Sequence, residues 1–238
     1  MNLNNFEQKV YSQHGEDGAT IKIVETIYKN LHNKYYVEFG ADSGIECNTR
    51  ILAEKFNWAG LLMDSGNENL DINLRREYIT KENIIDLLKK YNVPYHINLL
   101  SVDIDYNDFY CAKEILKTHT CDILIFEYNA SHLPNEDKIV IYNPSHVWDG
   151  SNYFGVSLLS WKKLANFYNY SLVYCDSTGT NCYFINNSLL KENYKEFDNI
   201  DNIDLLYRKP TYGNGPNGGH SQDLLNREYL DFKQAIEL

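Results

Sequence analysis

The run Val37-Glu38-Phe39-Gly40-Ala41-Asp42-Ser43-Gly44, directly after the apolar pair Tyr35-Tyr36, constrains this chain more than any other segment. An acid, a spacer, a glycine, three residues and a second glycine mark a buried strand whose following turn must admit a ligand. Glycine serves there because a side chain would push the ligand away, or because the turn needs positive φ. The acid then bears on the ligand's charge. A pyrophosphate cofactor asks for Gly-x-Gly-x-x-Gly at a helix N-terminus with no acid facing it. A cofactor carrying an ammonium and a sulfonium, S-adenosylmethionine, is the better match for Glu38.

The next apolar runs repeat the theme. Gly60-Leu61-Leu62-Met63 closes on Asp64, where a doubly wound sheet meets a ribose whose hydroxyls need acceptors. Glu77-Tyr78-Ile79 reads as a third strand leading into Thr80-Lys81-Glu82-Asn83, a helix start that would meet an adenine edge. Asn98–Val102 ends on Asp103, with Asp105 and Asp108 following, and Cys121–Phe126 ends on Glu127. Open α/β sheets bind ligands at the carboxyl ends of their strands, so these acids converge on one pocket.

These residues resemble the FkbM-type branch of the class I S-adenosylmethionine-dependent methyltransferases, many of which methylate sugar hydroxyls. Glu38-Phe39-Gly40-Ala41-Asp42-Ser43-Gly44 is similar to the family's first motif, acid-x-Gly-Ala-Asn-x-Gly. Asp103-Ile104-Asp105-Tyr106-Asn107-Asp108 is similar to its fourth-strand motif, Asp-x-Glu-Gly-x-Glu, and Glu127 to the acid ending its fifth strand. Ser12-Gln13-His14-Gly15-Glu16-Asp17-Gly18 resembles an opening common in the group. Asp42, Asp105 and Tyr106 depart from the pattern, and a tyrosine at 106 would reshape the acceptor side. The resemblance spans about residues 11–186. It implies a doubly wound, Rossmann-like sheet, mostly parallel, with a C-terminal antiparallel strand pair. It also implies a cofactor site built from Gln13, Glu38, Gly40, Ala41, Ser43, Gly44, Asp64, Thr80 and Asp103.

The rest of the chain fits that frame. Ile21, Ile23, Val24, Ile27 and Leu31 recur at helical spacing ahead of the first strand, and βα alternation continues to residue 127. Residues 129–155 then lose all period, and long irregular stretches in compact domains are more often functional than accidental. Trp148, Asp149 and Tyr153 in that stretch suit a carbohydrate platform or a packed loop equally well. Tyr170–Cys175 and Cys182–Ile185 read as an antiparallel pair across a Gly-containing turn. Residues 187–238 form an extension of the single domain 1–238, a lid or a packing appendage, with a Gly-rich loop at 212–220. A formal net charge of −11 argues against nucleic acid or an anionic membrane as the main partner. Five scattered cysteines without CxxC spacing read as reduced thiols, and with no apolar leader or membrane span the expected compartment is the cytoplasm.

For chemistry, Asp103, Asp105 and Glu127 are the centre. Adjacent carboxylates repel, so a pocket holding three needs a cation, donors or raised pKa values. In one reading Asp103, Glu127 and Asn129 hold Mg²⁺ or Mn²⁺ through oxygen, an arrangement resembling catechol O-methyltransferase. In the other no metal is present, and Asp103, Asp105 or His132, a loop residue just past Glu127, is the general base. The expected activity is methyl transfer to a sugar hydroxyl in glycan or nucleotide-sugar biosynthesis, with a small-molecule or glycan acceptor. The alternatives are another small acceptor, phosphoryl, amide or amine, and a non-catalytic adenosine-nucleotide-binding module.

Overall fold

Strand alternation sets the layers. The computed structural model describes residues 1–238, opening on helix α1 (Glu16–Ile27) and strand β1 (Tyr35–Phe39). Successive residues of a strand point to opposite faces, so Val37 and Phe39 join one core and Tyr36 the other. Chain order continues α2 (Arg50–Phe56), β2 (Ala59–Asp64), β3 (Leu74–Arg76), α3 (Ile84–Lys90), β4 (His96–Val102), α4 (Asp108–Thr118) and β5 (Thr120–Glu127). After β5 come β6 (Ile139–Val140), α5 (Leu158–Phe167), β7 (Tyr170–Cys175), β8 (Asn181–Asn186), α6 (Asn187–Asn193), α7 (Ile203–Leu206), β9 (Tyr229–Leu230) and α8 (Phe232–Ile236).

Seven strands form one sheet in the order β3-β2-β1-β4-β5-β8-β7. β1 to β5 run parallel and β8 runs antiparallel to both β5 and β7. This is the doubly wound, Rossmann-like sheet with an antiparallel C-terminal pair that the resemblance implied. Apolar residues of α1, α2 and α6 cover one face, and those of α3, α4 and α5 the other. The third strand lies at Leu74–Arg76, earlier than the expected 77–79. The αL residue Asn73 turns the chain into it, while Glu77 still donates its N–H to the Asp64 carbonyl at 2.9 Å, beyond the strand.

All five cysteines are free and buried. No helix is long and apolar enough to cross a membrane. The C-terminal segment is stitched onto the irregular 143–156 stretch. β9 pairs with β6, Ser151 bridges Ser221, and Arg227 reaches Asp149 at 2.6 Å. Together they make a strap over the carboxyl ends of β4 and β5.

Candidate functional site

The site begins where β1 ends. Gly40 continues the ladder by donating to the Met63 carbonyl at 3.0 Å and then turns with φ +73°. A Cβ there would sit 1.5 Å from the Asp103 carbonyl oxygen. Only glycine lets the β1 turn and the end of β4 close on each other, and this brings Asp103 to the mouth of the turn. Asp105 holds an αL φ of +66°, and Asp108 fixes the same turn by accepting the Ile104 N–H at 2.7 Å. Glu127 ends β5 beside them. Its carbonyl accepts the indole N–H of Trp161 at 2.6 Å, and the adjacent Phe126 ring stacks on that indole at 4.1 Å.

Two cavities meet at this point, and Gly40 and Asp103 border both. The larger, about 290 Å³, runs past Asp64, Tyr78, Ile79, Tyr106 and Trp148. Asp64 spends Oδ1 on the N–H groups of Gly66 and Asn67, leaving Oδ2 free of protein donors. Tyr106 stacks on His146 with centroids 3.8 Å apart and forms a flat aromatic wall. The smaller cavity, about 250 Å³, is lined by Gln13, Glu38, Asp42, Glu46, Asn48 and Asn181. It is rich in acceptors: the buried Asn181 Oδ1 has no partner in the protein, its amide being turned to donate to Glu16 at 3.0 Å. A buried acceptor left without a donor is destabilising unless a ligand or water meets it.

Asp103, Asp105 and Glu127 bring one carboxylate oxygen each within 4.8 Å of the others. Burial first, and then the mutual repulsion of the acids, holds the carboxyls of Asp103 and Glu127 well above the usual range. Glu127 Oε2 is buried without a partner. The group therefore keeps a proton at neutral pH or takes up a cation. The 212–220 loop closes over it. Tyr212 lies in the field of Glu127 and Asp103, and His220 in that of Asp105. The imidazole of His220 is packed against Trp148 at 4.4 Å, Tyr212 at 5.3 Å and Phe154 at 5.4 Å.

Several residues singled out from sequence do other work. Glu38 borders the smaller cavity, but its oxygens accept from the N–H groups of Asn48 and Thr49 and from the Thr49 hydroxyl, so it anchors the entry to α2. Ala41 is fully buried against the α2 side of the core. Ser43 and Gly44 border a separate cavity of about 160 Å³ with Ile45 and Ile72. Thr80 stands just beyond Ile79, the last lining residue of that stretch, and donates its N–H to Asn83 at 2.8 Å. Asn129 is committed to loop packing: its amide donates to the carbonyls of Asn152 and Phe154 and its oxygen accepts from the Ser131 N–H, which ties two loops together. Asp105 stands in its place beside Asp103 and Glu127. His132 is buried edge-on to Tyr229 at 4.9 Å and borders a different groove, so it is not the base at this site. Asp149 and Tyr153 are structural too, Asp149 holding Ser151 and Arg227 and the Tyr153 hydroxyl donating to the Glu228 carbonyl. Sequence reasoning marked the 212–220 loop but named none of His220, Asn181, His146 and Tyr212 as site residues, because their placement depends on long-range pairing and carries no local signal.

No protein-family model matches the chain, and no curated protein sequence matches it. Among solved structures it is similar to the CMeT domain of the citrinin polyketide synthase, with 10% identity and a TM-score of 0.40 over 74% of this chain. The match covers 54% of that domain's chain, so this chain spans about half the length of the structure it matches.

Proposed function

We propose that the chain is an S-adenosylmethionine-dependent O-methyltransferase acting on a sugar hydroxyl in glycan or nucleotide-sugar biosynthesis. One observation carries the reading: two cavities of different chemistry join at Gly40 and Asp103, beneath a clustered carboxylate group. The pair suits a ligand with a nucleoside at one end and an ammonium at the other. Asp64 Oδ2 is available to ribose hydroxyls in the larger cavity, beside the aromatic wall of Tyr106 and His146. In the smaller one Gln13 and Asn181 Oδ1 are available to an ammonium, with Glu38 as the floor and Glu46, paired with Lys9 at 2.8 Å, at the rim.

When bound, adenosylmethionine supplies an electrophilic methyl group. What the chain must add is a nucleophile and its alignment, because a neutral sugar hydroxyl is weakly nucleophilic. Asp103 or Asp105 accepts the hydroxyl proton as general base, and the strap holds the acceptor in line while excluding water. Asp103, Asp105 and Glu127 are the residues that would hold Mg²⁺ or Mn²⁺, whose contribution would be Lewis acidity. Without an ion, Glu127 retains its proton and shares it with Asp103. The test is a calorimetric titration with adenosylmethionine, NAD and ATP. The reading predicts binding of the first alone, and it predicts methyl transfer from labelled cofactor to a saccharide pool.

A further inference from the structure

We propose that a second groove, formed by the strap and the segment after β5, binds a neutral saccharide and serves as a remote subsite for a glycan acceptor. This rests on the methyltransferase reading for its purpose but not for its chemistry. The groove has a volume of about 380 Å³, within the roughly 300–1,000 Å³ of small-ligand sites. It shares no lining residue with the two cavities at Gly40.

Its charged residues are already neutralised. Lys138 pairs with Glu136 at 2.7 Å, and Arg227 with Asp223 at 3.1 Å and Asp149 at 2.6 Å. An ionic ligand would have to break one of these pairs and leave a charge uncompensated. What remains for recognition is amide chemistry. Asn217, Gln222 and Asn226 line the groove, and their carboxamides make no hydrogen bond within the protein. Each presents donors and an acceptor, the combination that reads adjacent hydroxyls. At the base of the groove lies His132, 5% exposed, with Nε2 buried and lacking any partner. Burial holds its pKa down to about 4, so near pH 7 the ring is neutral and offers one donor and one acceptor nitrogen. A built-in imidazole with no protein partner calls for one from outside.

The groove is coupled to the first site through the strap. Asn217 stands three residues before His220, and Arg227 holds Asp149, the neighbour of Trp148. A chain of sugar units lying in the groove is therefore carried by the same loops that border the carboxylates.

The experiment is saturation-transfer NMR on the full chain with maltotriose and N,N′-diacetylchitobiose, with glucose 6-phosphate as the anionic control. At least one neutral oligosaccharide should bind, and the double variant Asn217→Ala/Gln222→Ala should weaken it about tenfold, the loss expected for two hydrogen bonds. Both side chains are exposed, and a circular-dichroism melt checks the fold. Gln222→Lys, which adds bulk and charge without truncation, should weaken binding as well. Calorimetric adenosylmethionine binding should be unchanged in all variants. The proposal is overturned if neither neutral sugar binds the wild type, if the variants bind as tightly as wild type, or if only the phosphorylated sugar binds. Absence of adenosylmethionine binding in a wild type that still binds saccharide would instead defeat the methyltransferase reading and leave the groove standing.

Discussion

A Cβ on Gly40 would stand 1.5 Å from the carbonyl oxygen of Asp103. The turn after β1 and the residue just past β4 are thus in backbone contact, and both residues border the two cavities of the site. The obstacle is main chain, which has no rotamer with which to yield, and φ is +73° besides. Gly40→Ala is expected to destabilise the protein by about 2–4 kcal/mol and to lose cofactor binding, through αL strain plus displacement of β4. Urea denaturation measures the first and calorimetry the second. A stable variant with normal binding would mean the contact is dispensable.

Glu38 and Asp64 separate structure from binding. Glu38→Ala removes the acceptor for two buried backbone N–H groups and should lower stability by about 1–3 kcal/mol. Asp64→Ala removes an oxygen free of protein donors and should weaken adenosylmethionine binding by about 1–3 kcal/mol. It also removes the acceptor of the Gly66 and Asn67 N–H groups, but these are not fully buried, so its effect on stability should be the smaller of the two. Equal effects of the two variants on stability would contradict the division of labour.

Acidity supplies a third prediction. Asp103 and Glu127 have folded-state pKa values raised by burial and by their neighbours, and burial pushes Asp108 up to about 7. A folded carboxyl that holds its proton more tightly than the unfolded one contributes stability below the unfolded pKa of about 4. That contribution is lost as pH rises through the folded value. In chelator, stability should therefore fall between about pH 4 and pH 7, and Glu127→Gln should flatten the fall. A melting temperature that rises steadily over the same range would contradict the clustered-acid account.

The cation question is read from the same cluster. If Asp103, Asp105 and Glu127 hold an ion, Mn²⁺ added at pH 8 should raise the melting temperature of wild type but not of Asp103→Asn. Loss of the free-ion signal by electron paramagnetic resonance should accompany it. Activity that survives excess EDTA, with no thermal shift, would leave the metal-free base. In either case Asp103→Asn should keep cofactor binding and lose most turnover.

The sheet was legible because its evidence is local. Apolar runs such as Gly60–Asp64 and Cys121–Glu127 carry both the strand and the acid that ends it, and hydrophobic periodicity places α1. Which acid is free to act was not local. Glu38 and Asp103 look alike in sequence, but Glu38 is committed to the N–H groups of Asn48 and Thr49, whereas Asp103 and Glu127 face each other. Asn129 followed Glu127 closely enough to suggest a ligand, yet loop packing turned its amide to Asn152 and Phe154. His132 also follows Glu127 closely, yet it borders a different groove. Proximity in sequence to Glu127 suggested His132, whereas the residue beside Asp105 is His220, 115 positions further along the chain and brought back by the strap.

Calorimetric titration of the folded wild type with S-adenosylmethionine tests the central claim most directly. The account predicts saturable one-to-one binding that weakens in Asp64→Ala and that NAD and ATP do not reproduce. No heat of binding from a protein whose circular dichroism shows it folded, across several temperatures, would contradict it.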